Sequence, residues 1–331
     1  MRAITIRRFG SPEVLEVVSD CPCPVPQANQ VLLNVHAAGI NPLDCKIREG
    51  KLRLLQGAKF PIILGNDASG IVSEVGSAVT NVKVGDEVFG FLDAYPRPSW
   101  TGFAKSGTYA ELALTRADTL ALKPRSISHR EAASVPLAAL TAYQILRRIG
   151  IRAGDKILIN GASGGVGIFA VQLAKVWGGV VTAVCSERNR EMVASLGADR
   201  IVNYMEQPIT ALPETFDVIY DVVATTSFAE CRHILARDGI FISNANLTNP
   251  LNMLTTWLFP VLQVVGVKQR TDYAWVKPSG ADLEAIAQVI DRGRLRTIID
   301  RVYAMKDIRK AHEYSESAHV RGKLVIDINA G

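Results

Sequence analysis

The segment Lys156-Ile157-Leu158-Ile159-Asn160-Gly161-Ala162-Ser163-Gly164-Gly165-Val166-Gly167 joins an apolar run to a glycine cluster. It offers bare main chain where reactive side chains would otherwise stand. Glycine allows a sharp turn and a close approach of N–H groups to a pyrophosphate, whose charge then rests at the positive end of a helix. Gly161, Ser163, Gly164, Gly165, Val166 and Gly167 are the candidate contacts. The glycines at 161, 164 and 167 read G-x-x-G-x-x-G, because Ala162 stands where G-x-G-x-x-G has its first glycine. A lone glycine motif is a weak signal, so its setting must carry the argument.

A second group follows at Cys185-Ser186-Glu187-Arg188. Sites for NAD place an acid at the end of the second strand to hold both ribose hydroxyls. Here Ser186 can donate to a 2′-phosphate and Arg188 can pair with it through a planar fork. Tyr204, at the end of the next strand, can reach the same phosphate from the opposite side. Glu187 argues for NADH, but falls after the serine, where a side chain faces solvent. The expected cofactor is NADPH, and Val223, Asn244 and Lys323 complete the candidate cofactor-binding set.

Such residues need a parallel sheet to hold them. Residues 156–160, 180–184, 200–203, 217–221, 239–243 and 263–268 read as strands with helices between them, the alternation of a doubly wound fold. After the glycines, Val166, Phe169, Ala170, Leu173, Ala174 and Trp177 fall at helical spacing on one face. Up to residue 124 the chain reads as all-β, with short runs at 31–37, 70–75, 87–91 and 108–114 and a long loop at 93–107. Ser128-His129-Arg130-Glu131 forms a capping box that opens a helical stretch broken at Pro136. A helix at 281–291 and strands at 298–303 and 323–328 return to the first domain. The expected domains are therefore 1–126 with 271–331, and 127–270.

Two domains suit a chain of 331 residues. A net charge of +5, with arginines mixed among carboxylates and no recognisable module, excludes a nucleic-acid binder. Five cysteines, scattered and odd in number, exclude a disulfide framework. Residues 257–267 are the most apolar stretch and are too short to span a bilayer. Residues 1–9 alternate like a strand and lack a signal peptide's apolar run, so a soluble, cytoplasmic protein is expected. Residues 261–267 read as an apolar sheet edge, which implies a homodimer.

At this point the chain resembles the zinc-independent quinone oxidoreductases of the medium-chain dehydrogenase/reductase superfamily. Within them it resembles the branch that contains a reticulon-4-interacting mitochondrial oxidoreductase and a chloroplast envelope quinone-oxidoreductase homologue. The matching segments are Ala38-Gly39-Ile40-Asn41-Pro42-Leu43-Asp44, Pro61-Ile62-Ile63-Leu64-Gly65-Asn66-Asp67-Ala68-Ser69-Gly70 and Val84-Gly85-Asp86-Glu87-Val88. Pro136-Leu137-Ala138-Ala139-Leu140-Thr141-Ala142-Tyr143, the glycine loop, Leu196-Gly197-Ala198-Asp199 and Gly322-Lys323-Leu324-Val325 continue the match. The resemblance implies a GroES-like β-barrel domain beside a Rossmann domain, with the active site in the cleft between them.

Asn41 and Asn66 stand where zinc-dependent relatives have cysteine and histidine ligands, and Asp67 replaces the neighbouring glutamate. A carboxamide is a poor zinc ligand, so no metal is expected. The implied reaction passes hydride to a quinone or an α,β-unsaturated carbonyl, whose negative charge spreads to oxygen. Asn41 is the candidate donor to that oxygen. Asp44 is the candidate that holds Asn41 or a helix end, and Thr141 corresponds to a family threonine near the nicotinamide. The five histidines are dispersed and read as structural or exposed, which leaves water as the proton source. Two other readings stay open, a non-catalytic NADPH-binding scaffold or redox sensor and a zinc alcohol dehydrogenase.

Overall fold

Runs of aliphatic and β-branched residues between turn-forming residues become sixteen strands among the described residues. The computed structural model describes residues 1–53, 60–92, 107–244 and 268–330. In chain order the first strands are β1 (Ala3–Ile6), β2 (Glu16–Val18), β3 (Gln30–Ile40), β4 (Ile62–Ile63), β5 (Asp67–Val75), β6 (Glu87–Phe91), β7 (Leu112–Arg116) and β8 (Leu120–Leu122). Next come β9 (Lys156–Asn160), β10 (Val180–Cys185), β11 (Arg200–Asn203), β12 (Phe216–Asp221), β13 (Leu235–Asn244) and β14 (Arg270–Ala274). β15 (Ile299–Ala304) and β16 (Lys323–Asp327) close the series. The helices that matter here are α1 (Pro42–Arg48), α2 (His129–Ala133), α3 (Pro136–Ile149), α4 (Gly165–Val176) and α5 (Arg190–Ala194).

Contacts divide the chain into Met1–Leu140 with Pro278–Gly331, and Thr141–Lys277. The first unit holds a small sheet, β2-β1-β4, and a larger one ordered β15-β16-β3-β5-β6-β8, with β7 on β3. β3 is central and pairs antiparallel with β5, β7 and β16. Ile4, Leu33, Val35, Leu64, Tyr109 and Ile326 belong to its core.

The second unit is a six-stranded sheet ordered β11-β10-β9-β12-β13-β14, parallel throughout. Numbered within the unit this is 3-2-1-4-5-6, the doubly wound order that places ligands at the strands' carboxyl ends where the winding reverses. Leu158, Val184, Ile219 and Phe241 build a core on this sheet.

Four expectations are corrected. The break falls at Leu140/Thr141 instead of 126/127, because α2 packs on the first unit's sheet, with Ala133 clustered against Ala37 and Val325. The return falls at Lys277/Pro278 instead of 270/271, because β14 pairs with β13. That makes Arg270–Ala274 the sixth strand; residues 263–267 lie outside the described residues, as do most of the loop at 93–107 and the apolar edge at 261–267. The strand at 108–114 divides into a bridge between Ala110 and Ala3, followed by Leu112–Arg116. Finally, α4 is buried from Gly167 to Ala174 on every side, where its spacing promised one buried stripe.

Candidate active site

After the exposed Lys156, β9 runs apolar and buried to Asn160, and the chain then needs Gly161, whose φ is +83°. A Cβ there would stand 2.3 Å from Val223 Cγ2, and one on Gly167 only 2.1 Å from the Gly161 carbonyl oxygen. The N–H groups of Gly161 and Ala162 both donate to Val184 O, at 3.2 and 3.0 Å, which ties the loop to β10. Gly164 is the N-cap of α4, with φ −84°, and a Cβ on it would meet nothing closer than 3.5 Å. Packing therefore demands glycine at 161 and 167. At 164 it leaves an open face beside the helix N-terminus, where a phosphate can approach.

The end of β10 supplies the neighbouring group. Ser186 is partly exposed and Arg188 exposed, and Tyr204 is 53% exposed with its N–H on Cys185 O at 3.3 Å. Arg190 Nε holds both oxygens of Glu187 at 2.8 Å, so the carboxylate that argued for NADH is occupied within its own turn. Asn189 escaped the sequence reading. Its buried Nδ2 donates to Ser163 Oγ at 3.0 Å and Ser186 Oγ at 3.2 Å, joining the two groups of candidate cofactor contacts.

Asp221 escaped it too. Fully buried at the end of β12, it accepts from Asn160 Nδ2 at 2.9 Å, from the N–H groups of Ala224 and Thr226 at 3.0 and 2.7 Å, and from the Thr226 hydroxyl at 2.7 Å. These bonds hold the turn in which Val223 is 55% exposed and Ala224 has φ +60°. Acid and amide at the carboxyl ends of adjoining strands were the signal available. The Asn244 carboxamide is structural on both sides: it accepts from the Tyr220 hydroxyl at 3.0 Å and donates to Val222 O at 2.7 Å.

In the first unit, three strand ends bring Asn41, Asn66, Asp67 and Lys323 together. Asn41 follows β3 and caps α1, Asp67 opens β5 opposite Gly39, and Lys323 opens β16 beside β3. Asp44 accepts from the Asn41 N–H at 2.8 Å, Asn66 Nδ2 at 2.6 Å and the Tyr109 hydroxyl at 3.0 Å. Asp67 accepts from Asn41 Nδ2 and the Leu137 N–H, both at 2.9 Å. The Lys323 ammonium donates to Asn41 Oδ1 and to Ile40 O at 3.4 Å, and lies 3.9 Å from Asp67.

All of these side chains are at most 3% exposed. Burial, reinforced by repulsion from Asp67, pushes Asp44 up to about 7 against the pull of its hydrogen bonds. Burial raises Asp67 to about 6 although Lys323 pulls the other way, and burial lowers Lys323 against the attraction of both acids.

This placement alters two expectations. Lys323, placed in the cofactor set, has its ammonium turned into the first unit's network because Asn41 and Ile40 accept from it. Asn41, placed as a donor to substrate oxygen, is 1% exposed with its carboxamide bonded at both ends. Asp44 does hold Asn41 and the start of α1. Thr141, 6% exposed within α3, is the first residue of the second unit. Among the histidines, His312 is fully buried, 3.2 Å from Arg48 Nη1, and burial together with Arg48 depresses it to about 3.

Residues 27–125 match the alcohol dehydrogenase GroES-like domain family and residues 196–326 the zinc-binding dehydrogenase family. The chain is 33% identical to mouse NAD(P)H oxidoreductase RTN4IP1, mitochondrial, over 99% of this chain and 89% of that protein. It is 34% identical to an Arabidopsis thaliana chloroplast envelope quinone oxidoreductase homolog over 92% of each. Escherichia coli quinone oxidoreductase, solved with NADPH, superposes with a TM-score of 0.82 at 26% identity, over 99% of this chain and 100% of that one. The organelle names of the two relatives overturn the cytoplasmic expectation. Its basis, the strand-like alternation of residues 1–9, reports local structure and carries no address. No helix among the described residues is long and apolar enough to cross a membrane.

Proposed function

Because the chain belongs to the quinone oxidoreductase family of the medium-chain dehydrogenase/reductase superfamily, we propose that it reduces a quinone or an α,β-unsaturated carbonyl with NADPH and without zinc. The carrying observation is the cradle at the carboxyl end of the parallel sheet, where glycines required at 161 and 167 flank an open helix N-terminus. The loop of residues 161–167 would hold the pyrophosphate at the N-terminus of α4, on main-chain N–H groups other than those of Gly161, Ala162 and Gly164, which bond within the unit, and Ser186, Arg188 and Tyr204 would face the 2′-phosphate. When bound, the reduced nicotinamide supplies hydride. Val223, exposed on the turn held by Asp221, offers the cofactor an apolar contact. Asn41 and Asp44 act inside the first unit as positioning residues, and Thr141 stays the residue proposed near the nicotinamide.

The donor set does not fit zinc. Two carboxamides occupy the ligand positions, and one of them already accepts from the Lys323 ammonium, a cation where a metal would need a ligand's lone pair. No step is therefore routed through a metal, and the proton that follows hydride is assigned to water. We also propose a homodimer; light scattering that returns a monomer at micromolar concentration overturns it.

NADPH oxidation screened over quinones, short enones and alkenals, with and without a strong chelator, tests the reading. Turnover indifferent to chelation is expected. Chelator-sensitive turnover would restore the zinc reading, and cofactor binding without turnover on any acceptor would leave a binding protein.

A further inference from the structure

Asn189 ends the turn Glu187–Asn189 that follows β10, and its own N–H returns to Ser186 O at 2.9 Å. Its side chain points inward, 4% exposed, with Nδ2 shared between Ser163 Oγ and Ser186 Oγ. A hydroxyl has one hydrogen and accepts at its oxygen. Once an N–H points at that oxygen, the serine's hydrogen must point elsewhere. One carboxamide thus turns the hydrogens of two hydroxyls away from itself and leaves them to donate elsewhere, Ser163 in the phosphate loop and Ser186 at the end of β10.

Asn189 Oδ1 is buried without a hydrogen-bond partner among the described residues. The reverse orientation would let Oδ1 take both serine hydrogens, leave two amide hydrogens unpaired and present only acceptor oxygens to an anion. One bare oxygen is the smaller loss.

We infer that Asn189 is a positioning residue that presets Ser163 and Ser186 as donors, and through Ser186 strengthens the preference for a 2′-phosphorylated cofactor. This rests on the NADPH reading proposed above. A serine free to rotate must be oriented at the moment of binding, whereas a preset one is already aimed. Ser163 serves the pyrophosphate common to both cofactors, so its part raises affinity for NADPH and NADH alike. Ser186 serves only NADPH.

The test is the dissociation constants of NADPH and NADH, by calorimetry, for wild type, Asn189→Ala, Asn189→Asp, Ser186→Ala and Ser186→Ala with Asn189→Ala. Asn189→Ala should weaken NADPH on the order of tenfold and NADH about threefold or less. Asn189→Asp keeps the shape, offers only acceptors and should reduce the NADPH preference further; it carries the test if Asn189→Ala does not fold. In the Ser186→Ala background, adding Asn189→Ala should change the preference by less than about twofold, because the partner it acts through is gone. An NADPH preference left intact in both Asn189 variants, or an undiminished loss without Ser186, overturns the inference. A wild type that does not prefer NADPH overturns the cofactor reading instead.

Discussion

Arg188 is exposed at the end of β10, beyond a Glu187 carboxylate already claimed by Arg190. A guanidinium there adds a charge-assisted bond to a 2′-phosphate that NADH lacks, worth roughly 1.5–3 kcal/mol. Arg188→Ala should therefore raise the NADPH dissociation constant by about ten- to a hundredfold and leave NADH within about twofold. Equal losses for both cofactors in a fluorescence titration would remove Arg188 from the 2′-phosphate site. Asn41 belongs to the opposite kind of residue, buried and bonded at both ends of its carboxamide. Asn41→Ala strips a partner from the buried Lys323 ammonium and from Asp67, so it should lower the unfolding free energy by roughly 1–3 kcal/mol. Urea denaturation checks this; unchanged stability would mean that water or a shifted side chain takes over both bonds.

At the scale of elements, the phosphate loop makes two glycines unequal. A methyl on Gly167 would collide with the main-chain oxygen of Gly161, and backbone cannot swing aside as a flexible side chain can. Gly167→Ala should cost about 1–3 kcal/mol and weaken NADPH and NADH together, since the start of α4 must shift. Gly164→Ala, with ordinary contact distances and an accessible φ, should melt within a few degrees of wild type. Calorimetry on the pair decides the matter, and equal melting temperatures would refute the packing argument. The same elements show what the sequence disclosed. Lys156–Asn160, Arg200–Asn203 and Glu87–Phe91 form with the expected bounds, each an apolar run closed by turn residues. Ser128 and Glu131 make their reciprocal cap, at 2.8 and 3.3 Å. α4 misled because Ile168 and Val171 are apolar as well, and Gln172 buries its amide on Ile168 O at 2.7 Å. Periodicity marks one apolar stripe and is silent about a helix covered all round.

Across the whole molecule, what stayed hidden was assembled from distant parts of the chain. Asn41 and Lys323 are 282 residues apart; the sequence returns residues 323–328 to the first domain, but no local pattern announces that β16 lies beside β3 or that Lys323 meets Asn41. Asp44 read locally as a helix-end acid, which it is, yet its burial beside Asp67 depends on strands brought in from elsewhere. That burial gives the fold a pH dependence. Asp44 titrates near 3.8 unperturbed and near 7 when folded. Between those values the folded chain binds more protons at this site than the unfolded chain does. Stability from this group is therefore full below about 4 and is lost as pH rises through about 7. Asp67, raised to about 6 by burial, acts in the same direction over a narrower window. Asp44→Asn keeps the shape and removes the titration, with an offset from altered hydrogen bonds that does not depend on pH. Denaturant unfolding of both proteins from pH 4 to 8 should show the wild type losing ground to Asp44→Asn as pH climbs. If the difference stays flat, or moves the other way, Asp44 is ionised throughout, and the Lys323 ammonium with the bonds from Asn41, Asn66 and Tyr109 outweighs the cost of burying it.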